Sequence, residues 1–199
     1  RRVLFRSIAW YYRNEATPFV FRAVNRLDRD TSGLVLLAKN PYSSCVLSDA
    51  VKDHTIHREY AAIVSGKTDA SGTIDLPIAR KDGSTIERVC DPERGETAVT
   101  HYRTFAYNKD ADISFIRLLL ETGRTHQIRV HMKAIGHPLP GDFLYCPDYR
   151  FIDRQPLHST YLRFSHPVTG EKLEFSASLP EDMRKLFPDI KNPSGPVFF

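Results

Sequence analysis

Two pairs of strand-like runs, each closed by a short turn, constrain this chain more than any other feature. Residues 101–107 and 113–120 flank Asn108-Lys109-Asp110, and residues 157–164 and 172–176 flank His166-Pro167-Val168-Thr169-Gly170. Apolar and β-branched runs bounded by Gly, Pro, Asn and Asp read as hairpins. Another strand is expected over 59–64, ended by Ser65-Gly66. The continuous apolar run 33–38 reads as a short strand covered on both faces. Helices are interspersed. Asn40-Pro41 is an N-cap followed by proline at the first helical position, with Val46, Leu47, Ala50 and Val51 as the apolar stripe. A second helix is expected over 126–135, capped by Thr125 and stopped by Gly136 and Pro138. Shorter ones are expected over 7–12 and 180–187, and the polar segment 81–96 reads as an exposed hairpin or loop. The fold class is therefore α+β, on a largely antiparallel or mixed sheet.

The 199 residues can bury a substantial core, and 41% hydrophobic against 26% charged residues is the balance of a globular protein. No apolar run approaches the roughly 20 residues of a membrane-spanning helix. The basic opening Arg1-Arg2-Val3-Leu4-Phe5-Arg6-Ser7 has no long apolar stretch behind it, so a signal peptide is not expected. The chain lacks an initiating Met, and is expected to be part of something longer. Cys45, Cys90 and Cys146 are widely spaced, odd in number and without a CxxC pair, which suits a reducing, cytoplasmic setting and speaks against structural zinc.

The net charge of +4 points only weakly to a polyanion, but its distribution says more. The first 30 residues hold seven arginines and no lysine, and Arg117, Arg124, Arg129 and Lys133 face the single acid Glu121 in their stretch. Guanidinium matches phosphate bidentately and stacks on bases, so the bias suits nucleic acid.

Three stretches carry candidate chemistry. Asn25-Arg26-Leu27-Asp28-Arg29-Asp30-Thr31-Ser32-Gly33 is a polar turn that presents a carboxylate between Arg26 and Arg29, which would favour its ionised form. Taken alone, it reads first as a turn whose side chains satisfy local backbone donors. On the helix over 126–135, His126, Arg129 and Lys133 share one face as a basic row, while Ile128, Met132 and Ile135 share another that faces the core. The helix start also offers N–H groups to a phosphate. His126 and His131 are about 140° apart around that helix and have no accompanying acid, so they do not form a metal pair. Finally, Tyr60 lies in the stretch Arg58-Glu59-Tyr60-Ala61-Ala62-Ile63-Val64-Ser65-Gly66, on a strand where a tyrosine is usually core.

In their order along the chain, these stretches resemble the RluA-type family of pseudouridine synthases. The first resembles the family's His-Arg-Leu-Asp, two variable residues, Thr-Ser-Gly. The tyrosine strand and Thr122-Gly123-Arg124-Thr125-His126-Gln127-Ile128-Arg129-Val130-His131 match its next motifs. Gly136-His137-Pro138-Leu139-Pro140-Gly141-Asp142, Leu157-His158 and Phe164-Ser165-His166-Pro167 follow in register. The resemblance runs from about residue 20 to Pro180 and implies a single catalytic domain that binds RNA, ribosomal or transfer, in a basic cleft as a monomer, with no metal and no organic cofactor. It makes Asp28 the catalytic aspartate, Tyr60 the ring under the target base, Arg129 the basic partner of the aspartate, and Arg26 the arginine that displaces the base. Arg29, Arg124, His126 and Lys133 complete the expected RNA-contacting set. Asn25 stands where the family has His. The family's N-terminal strand with its Lys-Pro motif has no match, and neither has an S4-like domain.

The activity so implied isomerises uridine to pseudouridine: the N1–C1′ bond breaks, uracil turns, and a C5–C1′ bond forms. The base must leave its stack, at a cost of a few kcal/mol. The alternatives are a non-catalytic RNA-binding module on the same fold and, more distantly, a nucleoside hydrolase. A pure binder has no need of a carboxylate in a phosphate-binding cleft.

Overall fold

The computed structural model describes residues 2–13, 20–190 and 195–198, so Arg1 lies outside the described residues. Helix α1 (Arg2–Tyr11) begins earlier than its sequence suggests and precedes strand β1 (Ser32–Gly33). Helix α2 (Pro41–Lys52) starts as expected, with the Asn40 side chain accepting from the Ser43 N–H. Strands β2 (His57–Ser65) and β3 (Ser71–Asp75) follow, then the short pair β4 (Ile78–Arg80) and β5 (Arg88–Cys90). Next come β6 (Val99–Asn108), β7 (Ile113–Leu120), α3 (Gln127–Ala134), β8 (Leu157–Ser165), β9 (Lys172–Ser176) and α4 (Glu181–Leu186).

Seven strands make one mixed sheet in the order β1-β8-β2-β7-β6-β3, with β9 also on β8. The β6–β7 and β8–β9 pairs are the two expected hairpins, and β4–β5 is a hairpin whose turn and second strand fall in the expected 81–96 region while its first strand precedes it. All ladders are antiparallel except β1 on β8.

Period-two alternation sends successive β2 residues to different layers. Tyr60, Ala62 and Val64 pack with Leu118, Leu120, Leu157 and the α3 residues Ile128 and Met132. Ala61 and Ile63 join Phe115, Met183 and Phe187 on the other face, under α4. That face also buries Glu59, paired with Arg117 at 2.5 Å and accepting the Val197 N–H at 2.9 Å.

The run 33–38 is not the doubly covered strand its composition suggests. Only Ser32–Gly33 pairs with β8; residues 34–37 are half-buried, and of them Leu34 and Leu36 pack in the cluster that holds Leu47 of α2. The cause is local. Gly33 adopts φ +109°, and a Cβ there would stand 2.2 Å from the Ser159 carbonyl oxygen. The chain is thus turned off the sheet edge and folds back on residues 22–24. The Val24 N–H donates to Leu36 and the Ala38 N–H to Arg22, closing a loop that carries Asp28.

Candidate active site

The Asp28 loop is tied down by the polar residues that follow it. Thr31 N–H donates to the Asp28 carbonyl, and Gln155 Nε2 donates to the Arg29 carbonyl and reaches Thr31 Oγ1 at 3.3 Å. Ser32 Oγ bonds His158 Nδ1 at 2.8 Å, and Asn25 Oδ1 accepts the Leu36 N–H at 2.6 Å. Asn25 is therefore a buried clasp between the two limbs of the loop. Leu27 packs against the core beside Tyr60, which leaves the next side chain, Asp28, at the wall of a cavity of about 550 Å³. Arg26, Tyr60, Arg124, His126 and Arg129 line the same cavity.

Arg129 is the best-held of these groups. Its Nε and Nη2 donate to the two oxygens of Asp142 at 2.6 and 2.7 Å, and its Nη1 reaches Asp28 Oδ2 at 3.3 Å. Asp142 in turn accepts the N–H groups of Leu144 and Tyr145. Burial alone would lower the Arg129 pKa, but Asp142 and Asp28 outweigh it and raise the value above that of a free arginine. Its guanidinium lies over the Tyr145 ring at 4.9 Å. Burial pushes the Tyr145 phenol up to about 12, so its neutral hydroxyl can donate to His126 Nδ1 while accepting the Arg88 N–H. Burial likewise lowers the His126 pKa, in keeping with that acceptor role. Burial raises the phenol pKa of Tyr60, with the nearby Arg58 charge opposing.

Several expectations need correction. Arg29 does not flank the Asp28 carboxylate: it is exposed, pairs with Asp30 at 3.2 Å and lies outside the cavity. No hydrogen bond among the described residues joins Arg26 to Asp28, although Arg26 is at the cavity. The basic row on α3 does not exist as a surface. His126 precedes the helix in the left-handed region at φ 60°, Arg129 is buried, and only Lys133 is exposed, outside the cavity. Thr125 does not cap the helix. The Gln127 side chain organises its start instead, accepting from Thr122 Oγ1 and the Arg124 N–H. Arg124 reaches the cavity but is paired with Glu96. His131 is buried between Thr100 and Leu76, away from His126. From sequence Asp142, Tyr145 and Arg58 have no assigned role, although Asp142 and Arg58 both lie inside stretches already singled out; Arg58 lines the cavity from β2.

The RNA pseudouridylate synthase family model matches residues 8–134, a span that holds Asp28, Tyr60 and Arg129. The chain belongs to the RluA-type family of pseudouridine synthases. Among its relatives, a protein of Bacillus subtilis (strain 168) named uncharacterized RNA pseudouridine synthase YjbO is 47% identical over 177 residues, 88% of this chain and 62% of that protein. The ribosomal large subunit pseudouridine synthase D of Zymomonas mobilis is 42% identical over 82% of this chain and 54% of its own length. The chain thus spans somewhat over half the length of such relatives. In fold it is similar to human RNA pseudouridylate synthase domain containing 1, with a TM-score of 0.75, 23% identity, and coverage of 96% of this chain and 87% of that one. Among the described residues no helix is long and apolar enough to cross a membrane.

Proposed function

We propose that this chain is the catalytic domain of an RNA pseudouridine synthase, with Asp28, Tyr60 and Arg129 as its catalytic set. The carrying observation is the Asp142–Arg129–Asp28 array. A doubly anchored buried guanidinium presents one N–H to a carboxylate at the wall of a cavity lined by a buried tyrosine. Preorganised groups of this kind need no rearrangement during the reaction. The flipped uracil lies on Tyr60, whose ring accepts any base by stacking. The Asp28 carboxylate works on the ribose, by bonding to C1′ or by taking a sugar proton, and Arg129 holds it in place in either case. Reactant and product are isomers, so no electron or group donor is consumed.

The relatives named for the large ribosomal subunit favour ribosomal RNA over transfer RNA as substrate. Arg26, at the cavity mouth, is assigned to displacing the base, and Arg124 and His126 to contacting the RNA. Arg29 and Lys133 are assigned to phosphates further out, because both are exposed outside the cavity. The protein is assigned to act as a monomer in the cytoplasm, where its three free cysteines stay reduced.

The test follows from the bond that is made. C5 of uracil loses its hydrogen when it bonds C1′, so RNA labelled with tritium at uridine C5 should release tritium to water. Purified protein incubated with such RNA from a strain lacking the gene should release it without added metal or cofactor. No release from any cellular RNA would sink the synthase reading and leave the binding module.

A further inference from the structure

Three arginines are buried among the described residues: Arg58, Arg117 and Arg129. Arg117 is paired with Glu59, and Arg129 with Asp142 and Asp28. Arg58 has no carboxylate, and no described residue accepts a hydrogen bond from its side chain. Its Nε is buried with no acceptor, although the residue is only 7% exposed and lines the cavity. A buried charge without a partner costs several kcal/mol, and native proteins pair such groups. An orphan guanidinium on a cavity wall therefore marks a place for an anion from outside.

We propose that Arg58 is a phosphate subsite of this cavity, binding a phosphodiester group next to the nucleotide whose base lies on Tyr60. The assignment of that base rests on the proposed synthase reading. Arg58 and Tyr60 are two residues apart on one strand, so they share a face about 7 Å apart along it. That places a cation beside the stacking ring, where the backbone of a flipped nucleotide must enter. Asp28, the one acid on the cavity wall among the described residues, is engaged by Arg129. The exposed Lys52 and His54 line the same cavity and offer further nitrogen donors near its edge. A guanidinium fork fits two phosphate oxygens at once, and the interaction is charge-assisted, which a neutral uracil carbonyl cannot match.

The loop before α3 keeps the seat open. Gly123 lies against the Arg58 guanidinium, and a Cβ there would stand 3.1 Å from Nη1 and 3.4 Å from Nη2. A side chain at 123 would press on the fork, which gives this glycine of the Thr-Gly-Arg-Thr-His run a physical reason.

The test reads Arg58 directly and needs no turnover. The Nε–Hε resonance of Arg58 in nitrogen-15-labelled protein, assigned by its loss in Arg58→Lys, is followed during titration with uridine, uridine 3′-monophosphate, uridine 5′-monophosphate or inorganic phosphate. At least one uridine monophosphate should shift it saturably, and uridine alone should not. Gly123→Ala, which keeps the charge but crowds the fork, should weaken that monophosphate about tenfold, the worth of one charge-assisted hydrogen bond. A resonance that no monophosphate moves overturns the proposal. So does one that uridine moves equally, which would make Arg58 a reader of the base, or one that inorganic phosphate moves and neither monophosphate does, which would make it a bare anion site. Because binding is read without catalysis, a protein that shows these shifts but releases no tritium would refute the synthase reading and leave the subsite standing.

Discussion

Arg129 and Arg58 line one cavity from α3 and from β2, both almost wholly buried, yet their company differs. Arg129 makes three hydrogen bonds to two aspartates, and one of those aspartates is fixed by two further backbone N–H groups. Arg58 makes none among the described residues. The first arrangement is complete before any substrate arrives, as a group that must orient a carboxylate requires. The second is complete only with a ligand. A cavity can thus divide its work between a satisfied cation that holds a reactive group and an unsatisfied one that awaits a charge.

The sharpest way to break this contrast is through stability. Asp142→Ala removes two of the three hydrogen bonds of a buried guanidinium, leaving it only Asp28, and orphans the Leu144 and Tyr145 N–H groups. Leaving one member of a buried ion pair behind costs about 3–5 kcal/mol, so the urea midpoint should fall far below that of wild type. Acid tests the α3 side by another route. His131 is fully buried with both ring nitrogens engaged, and burial lowers its pKa below 6.5. Its unfolded form binds protons more readily, so its contribution is complete above about pH 6.5 and is lost as pH falls toward the folded value. A wild-type protein whose stability below pH 6.5 matches that of His131→Gln at every pH would show that His131 is not the group responsible.

Smaller effects separate the outlying cations. Arg124 lines the cavity while Lys133 does not, so Arg124→Ala should weaken RNA binding more than Lys133→Ala. Each substitution should reduce the salt slope by no more than about one counterion. Equal losses would extend the binding surface well past the cavity mouth. The smallest expected change is the most informative. Arg58→Met replaces an unpartnered buried cation by an apolar side chain, so stability should stay within about 1 kcal/mol of wild type or rise. A loss as large as that of Asp142→Ala would make Arg58 a structural residue.

The same division explains what could be read in the sequence. The two long hairpins and the start of α2 depend on neighbours in the chain, and periodicity with turn residues shows them. The run 33–38 misled because its fate is set by the close approach of Gly33 to Ser159, a contact across 126 positions. On a helical wheel Arg129 joins Lys133, but the loop carrying Asp142 covers one and not the other. Arg26 and Arg29 stood beside Asp28 in sequence, while its partner came from 101 residues away. Arg58 looked like an ordinary strand residue, since the lack of a partner has no signature in one dimension. That Asp28, Tyr60 and Arg129 meet at one cavity was legible only through the resemblance, since nothing local in the chain links them.

The central claim is that the Asp28 carboxylate carries the chemistry and Arg129 holds it. Asp28→Asn keeps the size of the side chain and removes its charge. Pseudouridine formed in a single turnover on cellular RNA lacking the modification, counted by mass spectrometry alongside RNA affinity, is the measurement to make. The variant should bind RNA as well as wild type, or slightly better for the loss of one negative charge near phosphate, and form no detectable pseudouridine. Pseudouridine formation by Asp28→Asn at the wild-type rate would contradict the claim.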